Sequence, residues 1–457
     1  MVMSTQKLIY SKTIIIALLL GGCSGEDTAP TAPVEQPLAV SFSTYLKPAQ
    51  QTRVLYPEEP TAQGELNDTR LRTACFGIFA AHTGNETFAY NGTSTGLAPF
   101  NFMWNQQVGW GGDRWTYSPL KYWPNDNQPA DDQTPPAQGS QEHSYLSFFG
   151  YAPYSNGDDH SADDDAEGII GMSLNNNNAG ESYIHFRTLT MQPSTSVDLL
   201  WSRNVNRYKM DGAGFVDGQV QMNFIHALSK ITVNVKAIVD HASETDTDER
   251  YPADLNANTR IYIESVELLS PTVYAEGHML LAPQPDDATT PRWTDLALPT
   301  EPTWNNTNLN ASIAWTGTPA DQPDAATAKD DFDALPTGVT TTNKQLFSTA
   351  ADNCFVFPPS TADQYLQARV VYYVVTYDPS LKLNTPKYYS IVRNDITYTS
   401  PTANVKFEPN KIYTLQLYLG LTTVKFSIEG IDDWAEPITL DGIVRDPATE
   451  THEVNVE

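Results

Sequence analysis

Cysteine is scarce in this chain: 457 residues carry three, at positions 23, 75 and 354. That number excludes the disulfide framework on which small secreted domains depend. Basic residues are also few, 27 Lys and Arg against 55 Asp and Glu, for a net charge of −28. So acidic a chain lacks the electrostatic footprint for nucleic acid or for anionic lipid heads. Past residue 22 no run of 18 apolar residues occurs, so no transmembrane helix is expected there. H-E-x-x-H and C-x-x-C are both missing, and His143, His160 and His226 show no ligand spacing. Neither a metal nor a cofactor is therefore expected. Long stretches with helical periodicity are missing as well.

The front of the chain is what targeting segments look like. Lys7 and Lys12 form a short basic region and Ile14 to Leu20 an apolar one, far shorter than the ~20 residues that span a bilayer. Leu20-Gly21-Gly22-Cys23 has the order of a bacterial lipobox. The resemblance to exported lipoproteins implies that residues 1–22 are a signal peptide and that the Cys23 thiol accepts a diacylglyceryl group. Such an anchor holds because more than one acyl chain is attached. Ser24-Gly25-Glu26-Asp27 and the prolines 30, 33 and 37 make residues 23–37 a tether, extended and partly stiff. The acidic pair behind the cysteine resembles the export tags of surface lipoproteins in Bacteroidetes.

The composition of the whole chain is that of a β-protein: 23 Tyr, 17 Phe, 9 Trp and 32 Pro, with turn-rich spacers. Leu38-x-Val40-x-Phe42-x-Thr44-x-Leu46 alternates with period two, as do Ile231 to Val239 and Tyr413 to Leu421. Val370 to Val375 is a continuous apolar run, suited to a strand buried on both faces. The phase changes between Ile263 and Val266, which predicts a bulge. Cys75 and Cys354 both stand in apolar runs that read as buried strands carrying separate thiols. The expected fold is all-β, with two sandwich-like domains over 38–220 and 221–434, long loops, and a tail or strand over 435–457.

Three further motifs point to other chemistry. Gly92-Thr93-Ser94-Thr95-Gly96 matches a nucleophile elbow, but no helical pattern follows it, so a turn is expected. The acidic stretch from Asp158 to Glu167 fails as an EF-hand loop, because Leu174 stands at the twelfth position from Asp163. Trp104, Trp110, Trp115 and Trp123, interleaved with Asn, Gln and Asp, would suit a glycan surface if exposed and core packing if not.

One set of blocks is more specific. Phe76 to Ala80, Asn101 to Asn105, Trp115 to Pro124, Phe148 to Tyr154, Asp198 to Trp201, Phe224 to Ile231, Phe407 to Tyr413 and Asp433-Trp434 follow in that order. Together they resemble the fimbrillin-like lipoproteins, the type V pilus subunits of Bacteroidetes-type bacteria, over nearly the whole exported chain. The resemblance implies two transthyretin-like β-sandwich domains, display on the outer membrane or in a fimbrium, and assembly with other fimbrial subunits. It further implies that an arginine-specific protease removes the N-terminal strand and that a strand from another subunit replaces it. The removable strand would carry Leu38, Val40, Phe42 and Leu46, and the matching cleavage position is Arg53, with Arg70 and Arg72 as alternatives. Residues 435–457 would be a donor strand or an edge strand with an acidic end. On this reading the chain has no catalytic residue, and host or bacterial surface ligands are further candidate partners. A stand-alone glycan-binding surface lipoprotein is the alternative.

Overall fold

Strand-forming patterns in the sequence become strands wherever alternate side chains find an apolar layer. The computed structural model describes residues 38–45, 65–84, 86–88, 99–124, 144–175, 179–209, 218–238, 255, 257–269, 273–282, 289–299, 303–305, 307–317, 328–360, 362, 367–381, 388–399, 406–421 and 424–433. These residues fold as an all-β chain with two short helices, α1 (Asp68–Ala74) and α2 (Ala328–Asp333). The signal segment, the tether with Cys23, Leu46, Arg53, the Gly92–Gly96 turn and the 435–457 tail lie outside the described residues.

The strand β11 (Ser229–Ala237) buries Ile231, Val233, Val235 and Ala237 and turns Thr232, Asn234 and Lys236 to the other face. It pairs in parallel with β20 (Lys411–Leu419), which continues antiparallel to β21 (Val424–Asp433). On its other edge β11 pairs with β16 (Lys344–Gln345) and β17 (Cys354–Phe357). Facing this sheet is a second one, in the order β15 (Thr303–Asn305), β12 (Thr259–Leu269), β18 (Gln367–Tyr377), β19 (Tyr389–Thr399). Ile231, Val233, Val235, Ile261, Val370 and Leu415 meet in the core between them. The apolar run of β18 is buried on both faces, since Val370 and Tyr372 enter this core while Val375 packs outward against Phe332 of α2. The bulge expected in β12 is present, as a register shift between Ile263 and Ser265.

A six-stranded sheet runs β10 (Ile225–His226), β8 (Leu200–Arg207), β5 (Tyr145–Ala152), β2 (Phe76–Gly84), β3 (Met103–Trp110), β4 (Trp115–Thr116). Its two faces serve different cores. Phe79, Phe149, Tyr151 and Trp201 pack against a four-stranded sheet, β14 (Trp293–Ala297), β13 (Glu276–Leu280), β7 (Tyr183–Arg187), β6 (Gly168–Ser173). Phe76, Ile78, Phe148 and Leu200 on the opposite face are covered by a two-stranded parallel sheet of β1 (Ser41–Tyr45) and β9 (Gln219–Asn223). Strands from both sides of residue 220 thus share two of the sheets, through β10 beside β8 and β13 beside β7.

Cys75 departs from expectation. It ends α1 with φ of 58° rather than standing on a strand, and it is half-buried. Asn67 caps the helix by accepting the Arg70 N–H at 3.0 Å, so the chain stays helical until β2 begins one residue after Cys75. Cys354, by contrast, lies buried on β17, and the two thiols are free.

Candidate functional site

The strand β1 is seated in a groove. Val40 and Phe42 are 1% and 3% exposed, and Leu38 packs at the edge of the same core. The Phe42 ring lies 5.6 Å from Tyr117, 5.8 Å from Phe148 and 6.2 Å from Phe76. Burying two such side chains is worth about 1.5–3 kcal/mol each. Main-chain bonds hold the segment from both sides. The Ser41 N–H donates to the Gly218 carbonyl at 3.1 Å and opens the parallel register with β9. On the other edge the Val40 N–H donates to Lys121 O and the Trp123 N–H to Leu38 O, both at 2.9 Å.

Side chains of the groove wall complete the seat. The Tyr117 hydroxyl donates to Val40 O at 2.8 Å, and burial of that phenol raises its pKa above the ordinary value. The Trp115 indole donates to Thr44 Oγ1 and the Trp123 indole to Gly218 O, each at 3.0 Å. Two of the four clustered tryptophans are therefore wall residues of this groove. Trp110 carries the Arg72 guanidinium over its ring at 4.3 Å, and Trp104 is 42% exposed. Chemically the site does one thing: it binds an extended segment through its backbone and reads alternate side chains at positions 38, 40 and 42.

Of the residues singled out for strand removal, the structure brings together Leu38, Val40 and Phe42. Leu46 and Arg53 lie outside the described residues. Arg70 and Arg72 sit on α1, anchored by the fully buried Leu71 between them; a protease that takes extended substrate would have to unwind the helix first. The groove wall itself, Gly218 to Asn223 with Tyr117 and Lys121 to Trp123, was missed by sequence reasoning. Gly218 held one signal. Its φ is +73°, and a Cβ there would stand 2.7 Å from Ala39 O, so the position needs glycine both for its backbone and for the close approach of β1.

The acidic loop closes on itself. Asp159 Oδ1 accepts the Ser161 N–H at 3.0 Å, and His160 Nδ1 lies 3.1 Å from Asp163 Oδ2. The Leu189 N–H donates to Glu167 Oε1 at 3.1 Å, and Arg187 donates to the carbonyls of Asp163 and Ser161. Among the described residues no group of three His, Cys, Asp or Glu is placed to hold a metal ion.

Beside this loop, on β7 and β13, Glu276 accepts from Arg187 Nε at 2.7 Å and lies 2.6 Å from His185 Nε2. Burial pushes the Glu276 carboxyl up, but these two partners outweigh it and hold its pKa below the ordinary 4.5. Burial also lowers His278, the cross-strand neighbour of His185, against the pull of Asp295. A depressed carboxylate contributes stability above its ordinary pKa and loses it as pH falls through the folded value. A depressed imidazole likewise costs stability as pH falls below its ordinary 6.5. The urea midpoint is therefore expected to drop between pH 7 and pH 4, with a shallower drop in Glu276→Gln. An equal drop in that variant would remove Glu276 from the account.

The chain is thus all-β, and its first described strand is seated in an apolar groove and bonded along both edges. A crystal structure of a fimbrial protein from Bacteroides vulgatus superimposes with a TM-score of 0.53, over 87% of this chain and 99% of that one, at 19% identity. A fimbrial assembly protein from Parabacteroides distasonis superimposes over 87% of this chain and 99% of that one, with a TM-score of 0.31 and 10% identity. In sequence the chain is similar to fimbrium subunit Fim1C of Phocaeicola vulgatus, 27% identical over 201 residues, or 42% of this chain. The match spans 45% of that relative's own length. No family model matches the chain. The similarity to a fimbrium subunit agrees with the resemblance carried by the ordered blocks, and the superposition with the fimbrial protein shows a shared fold.

Proposed function

We propose that this chain is exported to the outer membrane as the lipid-anchored precursor of a structural and adhesive subunit of a type V-like fimbria, without catalytic activity. Cys23 carries the lipid, and residues 38–220 and 221–434 are its two sandwich domains, which share strands at their junction. Cleavage at Arg53 releases the segment that includes β1, and a strand from another subunit takes its place. The observation that carries this reading is the seat of β1, a terminal segment whose backbone is bonded on both edges and whose alternate side chains fill an apolar groove. Loss of such a segment leaves unpaired edges and bare apolar surface, which a donated strand covers in the same register. Similarity to a fimbrium subunit and to the fold of a fimbrial protein supports the same reading.

The test is digestion of the full chain with an arginine-specific protease, followed by intact mass and electrophoresis. The expected product begins at Val54, lacks the 38–46 segment and forms SDS-resistant oligomers. A product that is cut at Arg53 and stays monomeric, or a chain that is not cut there, would overturn strand exchange.

A further inference from the structure

Two of the ordered sequence blocks, Asp198 to Trp201 and Phe224 to Ile231, contain charged or titratable residues that the groove does not use. Asp198, His226 and Lys230 are all nearly devoid of solvent contact, at 2%, 2% and 3% exposure. Asp198 and Lys230 reach one short stretch of chain, Glu65-Leu66, which lies downstream of Arg53 and two residues before α1, and His226 stands behind Asp198. The Lys230 ammonium bonds Glu65 Oε2 at 3.0 Å, across 165 residues of sequence. The Leu66 N–H donates to Asp198 Oδ2 at 2.9 Å, across 132 residues. His226 Nδ1 stands 2.8 Å from that same oxygen, and the Leu199 N–H donates to the other one at 2.8 Å. Beneath the polar contacts, Leu66 and Leu71 are 2% and 0% exposed in the core that β1 also covers.

Charges this deeply buried are costly unless paired, and breaking one member of such a pair costs far more than an exposed ion pair ever contributes. Burial pushes the Lys230 ammonium down, yet its negatively charged surroundings, the Glu65 and Asp198 carboxylates among them, outweigh it, so its pKa stands above the ordinary lysine value. Burial pushes the adjacent Cys354 thiol up to about 11, which keeps it neutral and leaves Glu65 as the acidic partner hydrogen-bonded to Lys230.

We propose that Glu65, Asp198, His226 and Lys230 form a latch that clamps the chain at Glu65-Leu66 to the body, so that the strand upstream can leave while α1 and everything after it stay folded. The latch thereby decides where the retained subunit begins and shields Arg70 and Arg72 from the protease that acts upstream. These are positioning residues, and the part of the inference that concerns cleavage rests on the function proposed above. The clamp itself does not.

Two variants of the full chain test it, Glu65→Gln from the arm side and Lys230→Met from the body side. Hydrogen exchange at the Leu71 and Cys75 amides, whose bonds run along α1, is expected to speed up roughly a hundredfold. Amides of β18, in a different core, should exchange as before. With the arginine-specific protease, the wild-type chain should give a product starting at Val54, and both variants should be trimmed further at Arg70 and Arg72. Unchanged exchange in α1, in variants whose β18 amides remain protected, would overturn the latch. A wild-type chain left intact at Arg53 refutes the protease-driven reading alone, because the exchange comparison still decides the clamp. The double variant Glu65→Gln/Lys230→Met leaves neither charge of the pair stranded, so its exchange in α1 keeps the test open if a single variant does not fold.

Discussion

Phe42→Ala is expected to cost about 3–5 kcal/mol of the free energy that holds β1 in its groove, the usual range for truncating a buried phenylalanine. The side chain is 3% exposed and touches three aromatic rings whose centroids lie within 6.2 Å. Its loss removes the transfer energy of the ring and leaves a cavity lined by Phe76, Phe148 and Tyr117. The strand is the first described element of the chain, and in the function proposed above it detaches without unfolding the sheets beneath. The urea midpoint therefore falls only until the detached state dominates, and the remaining effect is read as faster proteolysis upstream of Glu65. A synthetic peptide spanning Leu38 to Leu46, added to the cut wild-type protein, should restore protection and perturb Trp115 and Trp123 fluorescence. Equal proteolysis rates for Phe42→Ala and wild type would show that the strand is not held through that pocket.

Gly77→Ala is the second large effect, and it lies on the opposite face of the same sheet. A Cβ at position 77 would stand 2.2 Å from Tyr151 Cε1 and 2.7 Å from its hydroxyl. The ring cannot swing away cheaply. Tyr151 is fully buried, its hydroxyl lies 2.7 Å from Asn105 Oδ1 and 2.9 Å from Ser155 O, one of which takes its single proton, and it accepts the Ser155 N–H at 3.2 Å. Forcing a methyl group into this space costs about 1–3 kcal/mol for overpacking, with about 1–3 kcal/mol more if the hydroxyl network loses a partner. Thermal unfolding is the direct measurement. A variant with the wild-type midpoint would mean that β2 and β5 can separate enough to admit the methyl group, against their unbroken pairing from Gly77 to His82.

Both effects concern residues whose chemistry is plain in the sequence and whose partners are not. The alternation of Ile231 to Ala237, the two-faced burial of Val370 to Val375 and the bulge near Ile263 follow from side-chain period alone. So does the pairing of Val40 and Phe42 on one face. The short helix α1 was invisible for a related reason, since seven residues give too few turns for a 3.6-residue period to emerge. That also explains Cys75: the apolar run around it continues into β2, and only the Asn67 cap and the buried Leu71 make the preceding residues helical.

Period and composition act over a few residues, so the sequence by itself determined that the chain is all-β and which faces of many strands are apolar. Which strands become neighbours was decided by the tertiary structure. The parallel partners β1 and β9 lie about 180 positions apart, as do β11 and β20. Nothing local in either member favours that mate over another. The groove exists because Gly218, Tyr117, Trp115 and Trp123 converge on one segment. The latch exists because Glu65 and Lys230 meet across 165 residues. Hydrogen bonds and ion pairs between such distant groups form only after the apolar faces have chosen how to stack, and that choice is settled by burial summed over the whole molecule.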